Sequence, residues 1–467
     1  MSRSEKSEQY TKESSLQKQQ RIEQELLKLE EEKKARELIY ENTNYREEIL
    51  KVINAIESKF LEREELTRIA ILALFSEKNC FLIGKPGVGK TAFCSMVSQV
   101  INDCRFYEMQ FSAGTKEEDI IDDNLYEGTT ILTSEVLFFD EMFKAASGLL
   151  NKFLSIMNER YLTIRGKAEP VNAKMIIAAS NELPIGAVLD PFVDRLHFMF
   201  EVVRIQDEEN RRKFILGQFV KDKSLPRYFT FEEASYMKKK SLEVTIPKEF
   251  QDVYLKLMNK TIKEGLKCTD RKYGHTIEIL KMSAFLNNRT FVNASDIFIF
   301  RHIGWTTYNE RGSLKRILNE LMFGNKIEVK EKLTKIEQEL EKVTSVKESE
   351  YKGFLQYSHE FNGKQKEILF SSTRDDISEL SMFYKNYLDE INNIDDEYKK
   401  VLNIEDEINK NVFVVGVKNQ VFTEEVLRFM DKIYNHIAFH KNEIEMWLID
   451  NRILYDYEEK YYAKNKI

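Results

Sequence analysis

The spacing of apolar residues changes several times along the chain. In the first 44 residues only Ile22, Leu26 and Leu29 interrupt a polar, charge-dense run, a stripe thin enough for a solvated helical arm. From Tyr45 to about Phe200, short runs rich in Val, Ile, Phe and Ala ("NCFLIG", "SEVLFFDE", "KMIIAASN") alternate with helix-period segments such as "SGLLNKFLSIMNER". Wholly apolar strands separated by helices predict a parallel sheet covered on both faces. Between residues 204 and 310 the strand runs give way to short helices, including "DRKYGHTIEILKMSAFL" and "VNASDIFIF", where Ser295 and Asp296 read as a helix start. Beyond Gly324 a heptad-like spacing sets in at Val329, Leu333, Ile336, Leu340 and Val343. It returns from Ile377 to Val401 and again at Val426, Met430, Ile433 and Ile437. Three long amphipathic helices follow, expected to fold as an antiparallel bundle with Thr373 and Thr423 as N-caps and a short β excursion at Val412 to Val417. The expected organisation is an arm at 1–44, an α/β core at 45–203, a helical domain at 204–310 and the bundle at 311–467.

Composition narrows the function classes. With 42% hydrophobic and 32% charged residues, 6 Pro and 17 Gly among 467, the chain suits a helix-rich protein of several domains. A net charge of −7 with no basic stripe disfavours a nucleic-acid partner; "KKK" at Lys238 to Lys240 and "RRK" at Arg211 to Lys213 read as solvated helix faces. The four cysteines lack CxxC spacing and suggest reduced thiols in a cytoplasmic protein. No apolar leader opens the sequence, and no run approaches the ~18 residues that span a bilayer.

The chemistry concentrates in "FLIGKPGVGKTAFCSMV". Gly84 to Thr91 fit GxxxxGK[ST] between a predicted strand and a predicted helix. Gly84, Gly87 and Gly89 would let backbone N–H groups point into one anion-sized hollow, with Pro86 and Val88 completing the loop that holds the nucleotide, and Ala92 would continue the first helical turn, whose dipole adds to it. Lys90 would reach the β/γ-phosphates, and Thr91 would offer a hydroxyl to Mg²⁺. "VLFFDE" supplies Asp140 as a metal-shell ligand and Glu141 as the base that polarises water. Asn181, closing the next apolar run, is placed to hydrogen-bond the γ-phosphate and attacking water; a turn-former before Pro184 is the plainer reading. His436, His440 and Glu443 lie a helical turn apart, but Ile437 stands where a zincin has Glu, so they read as polar bundle positions.

In this order the elements resemble the AAA+ ATPases, and within them the MoxR group and its RavA-type members. The resemblance rests on "KFLEREELTRIAILALFSEKNCFLIGKPGVGKT", "FFDEMFKAASGLLNKFLSIMNERYL", "AASNELP", "DPFVDRLHF" and "TDRKYGHTIEILKMSAFLNNR", and spans roughly Tyr45 to Trp305. It implies an α/β AAA+ P-loop parallel-sheet core, an all-α lid domain and a C-terminal helical bundle, with ATP and Mg²⁺ as ligands. It further implies that Arg195 is an arginine finger reaching the γ-phosphate of a neighbouring subunit. Arg271 would be the sensor 2 residue, directed at its own subunit's phosphates, and Arg160 a weaker candidate for a contact between subunits. A finger acting in trans implies a homo-oligomer, most simply a hexameric ring. Residues around Phe60 to Glu62 would lie near the adenine. The hairpin "YLTIRGKAEPV" and "SAGTKEEDIIDDNLYEGTT" would face the ring lumen, although the second is shorter than in typical RavA-type chains. A protein carrying a von Willebrand factor A domain is the implied partner. The C-terminal region lacks room for a large inserted β domain. Two other functions stay open: a restriction-type motor using GTP or ATP beside a nuclease, and a scaffold that binds nucleotide without hydrolysing it.

Overall fold

The structure is a computed structural model, describing residues 23–24, 26–120, 126–184, 190–217, 224–341 and 363–450. A helix at residues 26–41 (α1) precedes α2 (Tyr45–Glu57) and α3 (Glu64–Ser76). Then come β1 (Cys80–Ile83), α4 (Lys90–Ser98), β2 (Phe106–Gln110), β3 (Val136–Asp140) and α5 (Ser147–Glu159). The hairpin strands β4 (Tyr161–Ile164) and β5 (Lys167–Pro170) lead to β6 (Met175–Ser180), α6 (Asp190–Val193) and β7 (Phe198–Glu201). Five strands form one parallel sheet in the order β2-β3-β6-β1-β7. β1 and β6 are buried at every position, as runs without alternation require in a sheet covered on both faces. Phe139, Phe153 and Phe111 pack ring against ring in that core, at 4.8 to 5.5 Å between centroids. The predicted hairpin forms, turning through Arg165 and Gly166, both at positive φ.

The helical domain comprises α7 (Glu208–Ile215), α8 (Phe231–Leu242), α9 (Lys248–Lys263), α10 (Asp270–Leu286) and the start of α11 (Tyr308–Phe323). Asp207, Thr230 and Thr269 cap α7, α8 and α10 with their side-chain oxygens. The element expected at Ser295 is a 3-10 helix, Ala294–His302, and it starts one step earlier: Asn293 and Asp296 form a capping box. α10 lies against α3 and α8, so this domain and the sheet belong to one compact unit, residues 1–314 with 409–416.

The second unit, 315–408 with 417–467, holds a helix at 326–341 (α12), most of α13 (Gly363–Lys410) and α14 (Glu424–Asp450). Lys330 pairs with Glu425 and Lys432 with Glu337, both at 2.7 Å, so α12 and α14 run parallel. Tyr387 meets Glu339 while Tyr398 meets Phe422, which makes α13 antiparallel to both. Val329, Leu333, Ile336, Ile391, Ile394, Val426, Ile433 and Ile437 are buried between them. Two details depart from expectation. Thr373 lies within α13, ten residues past Gly363, and not at its N-terminus. Val412 to Val417 form no strand; they make a turn whose Val412, Phe413 and Val414 are buried in the first unit, so an apolar run that reads as β is a plug between helices.

Candidate functional site

Parallel strands bring their C-terminal ends to one edge. Ile83 is level with Ser180, and Gln110 with Asp140. A hollow of about 420 Å³ opens there, lined by Pro86 to Ala92, Gln110, Asp140, Glu141, Lys144 and Asn181. Its volume falls within the usual ~300–1,000 Å³ of a small-ligand pocket. Gly87 and Gly89 sit at φ of 79° and 81°, and a Cβ on either would meet nothing within 4 Å, so the loop arches over open space. Gly84 is required for the opposite reason: a Cβ there would stand 2.4 Å from the Val202 carbonyl oxygen. The Gly84 N–H donates to Ser180 O and Val202 N–H to Ile83 O, at 2.9 and 2.7 Å, fixing the loop's entry across three strands.

Lys90 is the first residue of α4, buried, with Nζ donating to Gly84 O at 2.5 Å. Asp140 closes β3, and its Oδ1 accepts from the Glu141 N–H at 3.1 Å. Glu141 is buried and held in the left-handed region at φ 55°, a conformation a non-glycine residue keeps only where its surroundings impose it. That kink starts the 3-10 turn Met142–Lys144, bringing Lys144 Nζ to 3.5 Å from Glu141 Oε2. A helix start, a lysine, a hydroxyl and carboxylates lining one hollow suit a polyphosphate with a hard, oxygen-seeking cation: Thr91 and Asp140 would hold Mg²⁺, which would neutralise phosphate charge there. Phe60 packs its ring edge-on to Phe93 of α4 at 5.4 Å, and the buried Arg63 donates to Val88 O and Val203 O at 3.3 and 2.8 Å, bracing the loop near the predicted adenine end.

Gln110 and Lys144 were not anticipated. Gln110 ends a half-exposed strand with no sharp pattern, and Lys144 reaches the hollow only through the Glu141 kink.

The arginines lie elsewhere. β7 runs parallel to β1 with Cys80 level with Phe198, so Arg195 precedes the strand at the N-terminal edge, across the sheet from the hollow. Asn79 anchors that edge: Nδ2 donates to Arg195 O at 2.9 Å, and Oδ1 accepts from Ile176 N and Arg160 Nη2 at 3.2 and 3.1 Å. Arg195 donates to Pro191 O, and its Nε has no partner. Arg160 also donates to Lys174 O at 3.3 Å, so its guanidinium braces the sheet within this chain. Arg271 is exposed in the first turn of α10. The Thr269 hydroxyl that caps this helix donates to Asp194 at 2.6 Å, and Lys78 Nζ binds Glu278 further along it at 2.6 Å. These two contacts dock the start of α10, and with it the backbone of Arg271, near the N-terminal edge of the sheet.

Near this edge His197 is buried with Nε2 unpartnered, and burial, then Lys78, His275, Lys272 and Arg160, pull its pKa well below 6.5. Among the described residues no His, Cys, Asp and Glu cluster could hold a metal, and the side chains of His440 and Glu443 lie outside them. All four cysteines are unpaired. No helix among the described residues is long and apolar enough to cross a membrane.

A phosphate loop at the C-terminal edge of a parallel sheet, followed in the chain by an all-α domain, defines a P-loop nucleotide-binding protein of AAA+ architecture. Residues 47–227 match the model of the MoxR domain in the MoxR-vWA-beta-propeller ternary systems, and residues 250–318 match an AAA lid domain. An uncharacterised protein of Methanocaldococcus jannaschii is 30% identical over 273 residues, 56% of this chain and 72% of that protein. A second from the same organism is 30% identical over 268 residues, 55% and 69%. Chaperone MoxR1 of Mycobacterium tuberculosis is 26% identical over 165 residues, 33% of this chain and 43% of that one. The solved structure of a candidate ATPase from Cytophaga hutchinsonii superposes with a TM-score of 0.51 at 17% identity, covering 63% of this chain and 97% of that one, a likeness of fold alone. The chain belongs to the MoxR group of AAA+ ATPases.

Proposed function

We propose that the protein is a ring-forming, Mg²⁺-dependent ATPase that couples hydrolysis to the remodelling of a protein partner in the cytoplasm. The observation that carries this reading is the division of charge across the sheet. Lys90, Thr91, Asp140, Glu141 and Asn181 gather on one hollow, while Arg195 precedes β7 at the opposite edge, where Thr269, two residues before Arg271, bonds to Asp194. In this reading the loop N–H groups and Lys90 hold the phosphates, Glu141 takes the proton of the attacking water, and Asn181 orients that water. Charge developing on the γ-phosphate is met by Arg195 and Arg271 of an adjacent copy. A client with a von Willebrand factor A domain is supported by the description of the matching MoxR domain. Glu141→Gln should still bind ATP and lose ~10²-fold or more of its turnover, the scale of a lost general base. Unchanged turnover in a phosphate-release assay would remove Glu141 from the chemistry.

A further inference from the structure

Lys144 is the second cation of the hollow, and the reading above gives it no task. Lys90 is buried and hydrogen-bonded to the loop carbonyl, so its position is fixed. Lys144 differs: 59% of its side chain is exposed, and it touches the Glu141 carboxylate at 3.5 Å while that carboxylate is only 6% exposed. The Glu141 kink and the Lys144 N–H to Glu141 O hydrogen bond at 2.9 Å aim the lysine back at the carboxylate it follows. A pair with so exposed a member, at a distance longer than a charge-assisted hydrogen bond, is weak and cheaply exchanged. The anion that would compete for it is the terminal phosphate of a nucleoside triphosphate, which carries more charge than a carboxylate and enters the same hollow.

We propose that Lys144 is a positioning residue that exchanges partners: it holds Glu141 while the hollow contains no terminal phosphate and moves to that phosphate when a triphosphate is bound. The exchange frees Glu141 to accept a proton only when there is a bond to hydrolyse, and it makes the hollow prefer triphosphate to diphosphate. This rests on the ATPase reading but concerns binding as well as turnover, so the two fail separately.

The test is a fluorescent-nucleotide titration of the full chain with ADP and with a non-hydrolysable ATP analogue, alongside steady-state hydrolysis. Lys144→Gln should lose on the order of tenfold in affinity for the ATP analogue, with ADP affinity nearly unchanged and kcat lowered, as expected for one charge contact to phosphate. Lys144→Arg should restore both, because a guanidinium offers the same charge. Glu141→Gln should tighten the ATP analogue by releasing Lys144, and that gain should vanish in the double variant, a non-additivity diagnostic of direct coupling. Equal losses for ADP and the analogue, or strictly additive effects, would overturn the proposal. A wild-type protein that binds the analogue in a Lys144-dependent way without hydrolysing it would remove the ATPase reading and leave the exchange standing.

Discussion

Glycine, lysine and carboxylate positions in the hollow were legible in the sequence because each answers a local demand. Gly84 is hemmed in by a neighbouring strand, Gly87 and Gly89 need positive φ, and Asp140 ends an apolar run. Residues whose role depends on long-range packing were not. His197 is one: nothing in "DRLHF" signals that its ring is buried facing His275 at 4.9 Å, with Lys78, Lys272 and Arg160 nearby. Burial and those cations keep it neutral in the fold, whereas the unfolded chain protonates it near pH 6.5. A folded pKa below the unfolded one gives stability that is complete above pH 6.5 and declines as the pH falls beneath it. Each such group adds a slope of up to about 1.4 kcal/mol per pH unit. Urea unfolding between pH 7.5 and 5.5 should therefore show falling stability, with a smaller slope in His197→Gln; an unchanged slope would mean that the ring is protonated in the fold.

At the scale of elements, strands and heptad helices were readable from their periods, but the register of one element on another was not. The motif fixes the place of Arg271 in α10, but the docking of that helix is fixed by Lys78 with Glu278 and Thr269 with Asp194, contacts far apart in sequence. The turn at residues 409–416 shows the same limit, since "NVFVVG" has a strand's composition and no strand beside it. It is held instead by polar contacts on four elements. Arg46 of α2 and Arg68 of α3 donate to Lys410 O and Val412 O, at 3.1 and 2.6 Å. Asn411 donates to Ser295 and Asp296 at 2.8 and 3.0 Å and accepts from Asn287 of α10 at 3.1 Å. The turn thus bridges the core helices and the lid. Asn411→Ala would leave several buried polar groups short of a partner, at a cost of about 1–3 kcal/mol. A lowered thermal midpoint of the first unit is the expected result; an unchanged one would mean that the turn contributes nothing to its cohesion.

For the whole molecule, the separation of charges matters most. Lys90, Asp140 and Glu141 lie at the C-terminal edge of the sheet, whereas Arg195 precedes β7 at the N-terminal edge, with the length of the strands between them. Under the proposed function a complete site takes two copies arranged head to tail, which closes into a ring when the rotation allows. The most direct measurement mixes two inactive variants, Arg195→Ala and Lys90→Ala, and follows phosphate release. At a junction where the Arg195→Ala copy supplies the hollow and the Lys90→Ala copy supplies the arginine, the site is whole, so the mixture should regain a substantial fraction of wild-type turnover although neither variant alone is active. A mixture as inactive as its components, with both variants shown to assemble together, would contradict a site built from two subunits.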